Sequence, residues 1–257
     1  LKENQDIALV YITHNETGTG ILNPIREIGA LAHAYGAIFV VDTTSTYAMR
    51  PINIKNDNID FCMASAQKGL MAMTGISFVV GKRTIIEQSK TYPKRSYYCN
   101  LYMQYHYFEA HGEMHFTPPV QTVYAMRQAI KEYFAEGEQK KWERHTRVFE
   151  ALHKGIERLG FQDMIKRDWQ AGLVVTVKYP DDPNWSFSAI HDYCYKRGFT
   201  IYPGKINNTE TFRLCALGAI DQSDIETFFE VFEAGLREME VSLPVHYGLE
   251  EETDERE

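Results

Sequence analysis

No apolar run in this 257-residue chain approaches the ~18 residues a membrane-spanning helix needs. The opening Leu-Lys-Glu-Asn-Gln-Asp also lacks the charged-then-apolar design of a secretory signal. Cysteine is scarce. Cys62, Cys99, Cys194 and Cys215 form no C-x-x-C pair and fall in apolar or aromatic segments, so they read as buried free thiols of a reducing cytoplasm. Basic charge is in deficit too. Of the net −8, six acids against Arg256 from Glu250 onward account for −5, which leaves −3 for the rest and argues against a nucleic-acid-binding body. His106, His111 and His115 come with no completing set of acids, so no metal site is expected. Gly18-Thr-Gly-Ile is too short to be a glycine-rich phosphate loop, and internal repeats are missing.

What remains is ordinary globular material, 44% hydrophobic and 24% charged, enough for one large domain or two modest ones. Residues 7–13 are a near-continuous apolar run, the pattern of a parallel-sheet strand covered on both faces. A polar, glycine-punctuated loop follows, then a helix opened by Pro24 and ending at Gly36, then a strand over 37–41 that delivers Asp42. Strand, loop, helix, strand is a right-handed βαβ unit, whose ligands bind beyond the carboxyl ends of the strands. Strands over 61–64 and 76–80 flank a Ser-x-x-Lys turn. A Tyr-rich, mostly helical stretch over 92–108 and a helix over 119–134 complete a first domain, residues 1–140, and a long charged helix over 138–159 leads out of it. The interleaved aromatics and bases near Lys94 and Arg95 allow a single-strand nucleic-acid reading, but aromatics in helices more often pack against a partner. Strands over 173–178, 199–202 and 212–217, with helices over 186–197 and 222–239, predict a small α+β domain at 141–248. Residues 249–257 read as an acidic disordered tail.

Three strand ends bring polar residues to one edge: His14, Glu16 and Thr17; Asp42; and Lys68. Lys68 stands among small or apolar neighbours, where burial would favour the neutral, nucleophilic amine. Taken alone, Lys68 also reads as a surface lysine, Asp42 as a turn-forming aspartate and Thr17 as a loop threonine. Taken together, they suit pyridoxal phosphate (PLP). That cofactor needs a lysine to bind it covalently and an acid that keeps its pyridine nitrogen protonated. Thr17 is placed to donate to the phenolic oxygen of the ring.

The sequence resembles the class V, fold-type I aminotransferases, and within them the transaminases that act on 2-aminoethylphosphonate and pyruvate. His14-Asn-Glu-Thr-Gly-Thr-Gly-Ile-Leu-Asn-Pro24 is similar to their His-x-Glu-Thr loop. Val41-Asp42-Thr-Thr-Ser resembles the pyridine-nitrogen strand, and Ser65-Ala-Gln-Lys68 the segment of the cofactor-bearing lysine. Phe116-Thr117 resembles a loop that reaches the phosphate of a neighbouring subunit's cofactor. Gly198-Phe-Thr-Ile-Tyr-Pro-Gly-Lys205 with Thr211-Phe-Arg213 resembles the segment of the substrate-anion arginine. The resemblance implies an α/β fold of PLP-dependent fold type I, a mainly parallel sheet in a truncated large domain plus a small C-terminal α+β domain. It implies a cytoplasmic homodimeric transferase of phosphonate metabolism. Lys68 would be catalytic; Thr17, Asp42, Gln67, Lys68 and Thr117 would bind cofactor, and Arg213 would bind substrate.

Departures lie beside the substrate. Met71-Ala-Met-Thr-Gly replaces a Gly- and Pro-containing turn, Cys215-Ala replaces a Gly-Asn pair, and Gln67 stands where an amide of another length is usual. The 198–213 stretch is the motif most specific to the phosphonate enzymes; alanine–glyoxylate and related transaminases share the others, so an alanine–glyoxylate or serine-type transaminase is the alternative. A cysteine desulfurase is disfavoured, since no cysteine has a nucleophile's setting. The family's N-terminal part, with its phosphate-cradling turn and ring-stacking residue, has no counterpart here. The resemblance therefore also implies an apolar, unpaired sheet edge. It leaves open an incomplete fragment that serves as an interaction module, and a chain that by itself does not hold PLP stably.

Overall fold

The computed structural model describes residues 1–204, 206 and 209–248, so Lys205 and the expected acidic tail lie outside the described residues. The chain divides into two compact units. The first comprises Leu1–His14 and Asn23–Glu138, and the second comprises Asn15–Leu22 and Gln139 onward.

The first unit is built on a four-stranded sheet of β1 (Leu9–Thr13), β2 (Ile38–Asp42), β3 (Phe61–Ser65) and β4 (Ser77–Gly81), in that order. β1, β2 and β3 are parallel, with Thr13 opposite Asp42 and Asp42 opposite Met63, while β4 returns antiparallel. Because side chains alternate along a strand, Phe39, Val41 and Cys62 share one face. They pack there with Ile25 and Ala32 of α1 (Ile25–Ala34). Tyr11, Asp42 and Ser65 belong to the opposite face. β1 is not covered on both faces as its apolar run suggested: Leu9 is 49% and Tyr11 52% exposed. The reason is its edge position, which puts only Val10 and Ile12 against the core.

At the other end of the sheet Asp60, 3% exposed, accepts from the Phe39 amide at 2.7 Å, pairs with Lys82 at 2.5 Å and meets His33 at 2.9 Å. Burial opposes its charge, but these three partners together hold its carboxyl below the usual range. One carboxylate thus ties the starts of β2 and β3 to the end of β4.

The short α2 (Arg83–Gln88) precedes residues 92–100, which are not helical although the aromatic stretch was expected to be mostly so. Asn100 accepts from the Met103 amide and starts α3 (Leu101–His111), which stops at the left-handed Gly112. α4 (Val120–Glu136) follows. Thiol burial is mixed: Cys62 and Cys194 are buried, Cys215 is intermediate and Cys99, in the non-helical stretch, is exposed.

The second unit has an antiparallel sheet, β5 (Val174–Lys178), β7 (Thr211–Cys215) and β6 (Tyr202–Pro203), in that order. β6 is two residues long rather than the strand expected over 199–202. The apolar stripe of α5 (Glu138–Arg158) supplies Val148, Leu152 and Ile156 to the core. α6 (Phe187–Tyr195), capped by Ser186, adds Ile190, and α7 (Gln222–Glu238), held by an Asp221–Asp224 capping box, adds Phe228, Phe232 and Leu236.

Candidate active site

Asp42 ends β2 with both carboxylate oxygens engaged. Oδ1 accepts from the Thr44 amide at 2.8 Å, and Oδ2 accepts from the Tyr11 hydroxyl at 3.2 Å. Burial, and then the charge of Asp42, pushes the Tyr11 hydroxyl upward, so it stays a donor. Sequence reasoning missed Tyr11. The period of two was available: Tyr11 lies two residues before Thr13, the register partner of Asp42.

The turn that carries Asp42 onward is knitted from below. The His14 amide donates to Asp42 O at 2.9 Å, and the Thr46 and Tyr47 amides donate to Thr43 O at 2.9 and 2.7 Å. The His14 ring, 6% exposed, places Nδ1 3.0 Å from Thr46 Oγ1. Burial, and then the charge of Arg50, lowers this imidazole from its usual 6.5 to about 4, so it is neutral at pH 7.

Lys68 follows β3 in a turn where the Met71 amide donates to Lys68 O at 2.9 Å and the Ala72 amide to Ala66 O at 3.0 Å. The burial expected for Lys68 is not found. Its side chain and that of Gln67 are exposed, because Ala66, Gly69 and Leu70 take the buried positions of the turn. Gly69 lies so close to the Asp42 turn that a Cβ there would stand 2.0 Å from Tyr47 O and 2.6 Å from Met49 Cγ. The lysine turn and the aspartate turn therefore touch through backbone. Ser65 Oγ, on the face of Asp42, is buried without a partner among the described residues. Thr117 sits outside this contact in the exposed loop before α4, beside Phe116, whose ring packs on Tyr98 at 4.8 Å.

In the second unit the loop Asn15–Leu22 lies on the β5–β7 sheet. Gly18 O accepts from Thr176 Oγ1 at 2.9 Å, and Thr17 O accepts from Arg213 Nη1 at 3.1 Å. Gly20 adopts φ +89°, where a Cβ would stand 2.6 Å from Val174 O. Arg213 also donates Nε to Pro203 O at 3.1 Å and lies 6.0 Å from the Tyr202 ring centroid. The sequence assigned Thr17 to the cofactor and Arg213 to the substrate without linking them; the fold puts them in direct contact. Gln67, Asp42, Lys68 and Thr117 belong to the first unit.

These features fit pyridoxal phosphate. There is a carboxylate with its orientation fixed, an exposed lysine side chain in the adjoining turn, and an orphaned hydroxyl, Ser65 Oγ, able to meet a phosphate or other anion.

Comparison with known proteins points the same way. The family described as "Aminotransferase class-V" matches residues 2–201. The chain is 34% identical over 244 residues to 2-aminoethylphosphonate–pyruvate transaminase 1 of Cupriavidus pinatubonensis, which covers 95% of this chain and 64% of that enzyme. It is 33% identical over 234 residues to 2-aminoethylphosphonate–pyruvate transaminase of Lysinibacillus sphaericus, covering 91% and 63%. Pyridoxamine–pyruvate aminotransferase from Mesorhizobium loti has the same fold, with a TM-score of 0.85 at 20% identity, over 95% of this chain and 63% of that one. The chain spans less than two thirds of the length of each of these relatives.

Proposed function

Since the chain belongs to the class-V aminotransferases, we propose that it carries cofactor- and substrate-binding residues of a PLP-dependent transaminase. The reaction passes the amino group between 2-aminoethylphosphonate and pyruvate, giving phosphonoacetaldehyde and alanine, in either direction. The observation that carries this reading is the backbone contact of the Lys68 turn with the Asp42 turn, in a chain one-third identical to enzymes named for that reaction.

When bound, pyridoxal phosphate supplies the electron sink that makes the carbon–hydrogen bond beside the amino nitrogen acidic. Asp42, its two oxygens already oriented by Thr44 and Tyr11, would meet the pyridine nitrogen and favour its protonated form. Lys68 would hold the cofactor between turnovers, and its Nζ would accept a proton from the substrate carbon and later return one. Gln67 and Thr17 would orient the ring, and Thr117 would serve the phosphate of a neighbouring subunit. Arg213 reads first the phosphonate and then the carboxylate, since a guanidinium fork suits both anions. Its Nε and Nη1 bonds to Pro203 O and Thr17 O set the plane of that fork.

A homodimer is part of this proposal. The first unit exposes Tyr97, Tyr98, Phe108, Tyr124 and Phe134, aromatic side chains of the kind a partner subunit covers. So is a cytoplasmic setting, where the four unbonded cysteines stay reduced.

The test is a titration of the chain with pyridoxal phosphate, read by absorbance, followed by single-turnover reaction with 2-aminoethylphosphonate, alanine or serine. Lys68→Ala should abolish the lysine-bound absorbance band without unfolding the protein, because the side chain is exposed. A band unchanged in Lys68→Ala, or alanine and serine reacting while 2-aminoethylphosphonate does not, would overturn the assignment.

A further inference from the structure

The second unit contains a buried polar group that the amino transfer leaves unused. His153, on α5, is 2% exposed. Its Nδ1 lies 3.1 Å from Asp163 Oδ2, and its Nε2 lies 3.1 Å from Gln170 Oε1. The Gln170 amide can face only one way. Its Nε2 donates to Ile165 O at 2.7 Å and to Asp163 Oδ2 at 2.9 Å, and turning it over would set oxygen against both acceptors. Gln170 therefore presents an acceptor to the imidazole, and His153 Nε2 must carry the hydrogen of that bond. On the other side His153 Nδ1 faces Asp163 Oδ2. Glu150 and Glu157 on α5, and Arg167 before β5, are the charged groups around this pair.

The main chain on either side of Gln170 is where the loop Asn15–Leu22 docks. Ile21 bridges to Gln170, the Ala171 amide donates to Gly20 O at 2.8 Å, and the Leu22 amide donates to Trp169 O at 2.8 Å. The same loop carries Thr17, whose carbonyl orients Arg213. A buried glutamine with its amide fully satisfied fixes the backbone it belongs to, and the loop is fastened to that backbone.

We infer that His153 is a positioning residue which, through its Nε2 bond to Gln170, anchors the loop Asn15–Leu22 and so sets the guanidinium of Arg213. The anchor stands on geometry alone, and only its consequence for the substrate anion rests on the transaminase reading.

Two near-isosteres separate this from a general contribution to stability. Gln at position 153 places an amide nitrogen near the Nε2 position, whereas Asn reproduces the Nδ1 position. His153→Gln should keep the bond to Gln170 and His153→Asn should lose it, while both keep the site polar. Amide hydrogen exchange in the full chain reads the result. In His153→Asn the Leu22 and Ala171 amides should exchange at least about tenfold faster while β5 and β7 amides stay unchanged, and in His153→Gln both sets should stay near the parent rate. Gln170→Met, which removes the link from its other end, should repeat the His153→Asn pattern. In the catalytic assay His153→Asn should raise KM for 2-aminoethylphosphonate more than it lowers kcat. Equal behaviour of His153→Asn and His153→Gln, or acceleration spread evenly over β5 and β7, would overturn the anchor. Selective release of Leu22 and Ala171 without a change in KM would keep the anchor and remove its link to the substrate.

Discussion

Gly69 offers the sharpest test of how the candidate site is assembled. Its backbone does not lie in the left-handed region, so an alanine there meets no conformational penalty and the whole cost is steric. The added Cβ would stand 2.0 Å from Tyr47 O and 3.2 Å from Tyr47 C. An ordinary contact is longer by about 1.4 Å or more, and the obstacle is main chain, which cannot rotate away. The Lys68 turn must therefore withdraw from the Asp42 turn, or the Tyr47 peptide must leave the hydrogen-bonded turn that the Thr46 and Tyr47 amides make with Thr43 O. Overpacking of this kind costs roughly 2–3 kcal/mol. For a unit of this size that corresponds to a fall of roughly 5–15 °C in its melting temperature. The assay is thermal unfolding of Gly69→Ala beside Gly18→Ala, whose Cβ would meet nothing nearer than Glu16 Oε1 at 3.4 Å. Gly18→Ala should be close to neutral. Gly69→Ala should also bind pyridoxal phosphate more weakly, because withdrawal moves Lys68 away from Asp42. Should Gly69→Ala melt with the parent and bind cofactor as well, the two turns are not in the contact described.

The His14 imidazole should make the first unit acid-sensitive. Its folded value, about 4, lies below its usual 6.5, so the unfolded chain binds the extra proton first as pH falls; the contribution is complete above pH 6.5 and lost through about pH 4. It amounts to at most about 3 kcal/mol, and His14→Gln should flatten the pH dependence of urea unfolding over that window; an unchanged slope would refute the assignment. Gly20→Ala combines a left-handed backbone with a Cβ 2.6 Å from Val174 O, so it should cost the second unit roughly 2–4 kcal/mol in denaturant unfolding and raise exchange at the Ala171 amide.

Much of this was legible in the residues. Strict apolar runs marked β2 and β3, and Pro24 and Ser186 marked helix starts, because caps and periodicity are local effects. The Asp42 and Lys68 turns were visible as polar punctuation at strand ends. What the sequence hid depends on neighbours. An apolar run on an edge strand looks like one in the middle of a sheet, which is why the exposure of Leu9 and Tyr11 was not foreseen. The same blindness covers Lys68, since small neighbours in sequence describe a tight turn as well as a buried one. The His153–Gln170–Asp163 cluster joins α5 to two points of a later loop, and no local pattern announces a polar group that is satisfied only at long range.

The detour of the chain through the second unit has a consequence for synthesis. Gly18 receives its bond from a residue 158 positions later, and Thr17 receives its own from one 196 positions later. At about 5–20 residues per second, a ribosome needs on the order of ten to forty seconds to supply those partners. During that interval β1 and α1 are already outside the exit tunnel, with the segment between them waiting for the far end of the message. A stop codon anywhere before Thr176 would strand that segment permanently, so a premature terminus would remove part of the support of the loop Asn15–Leu22 without altering a single residue of the loop itself.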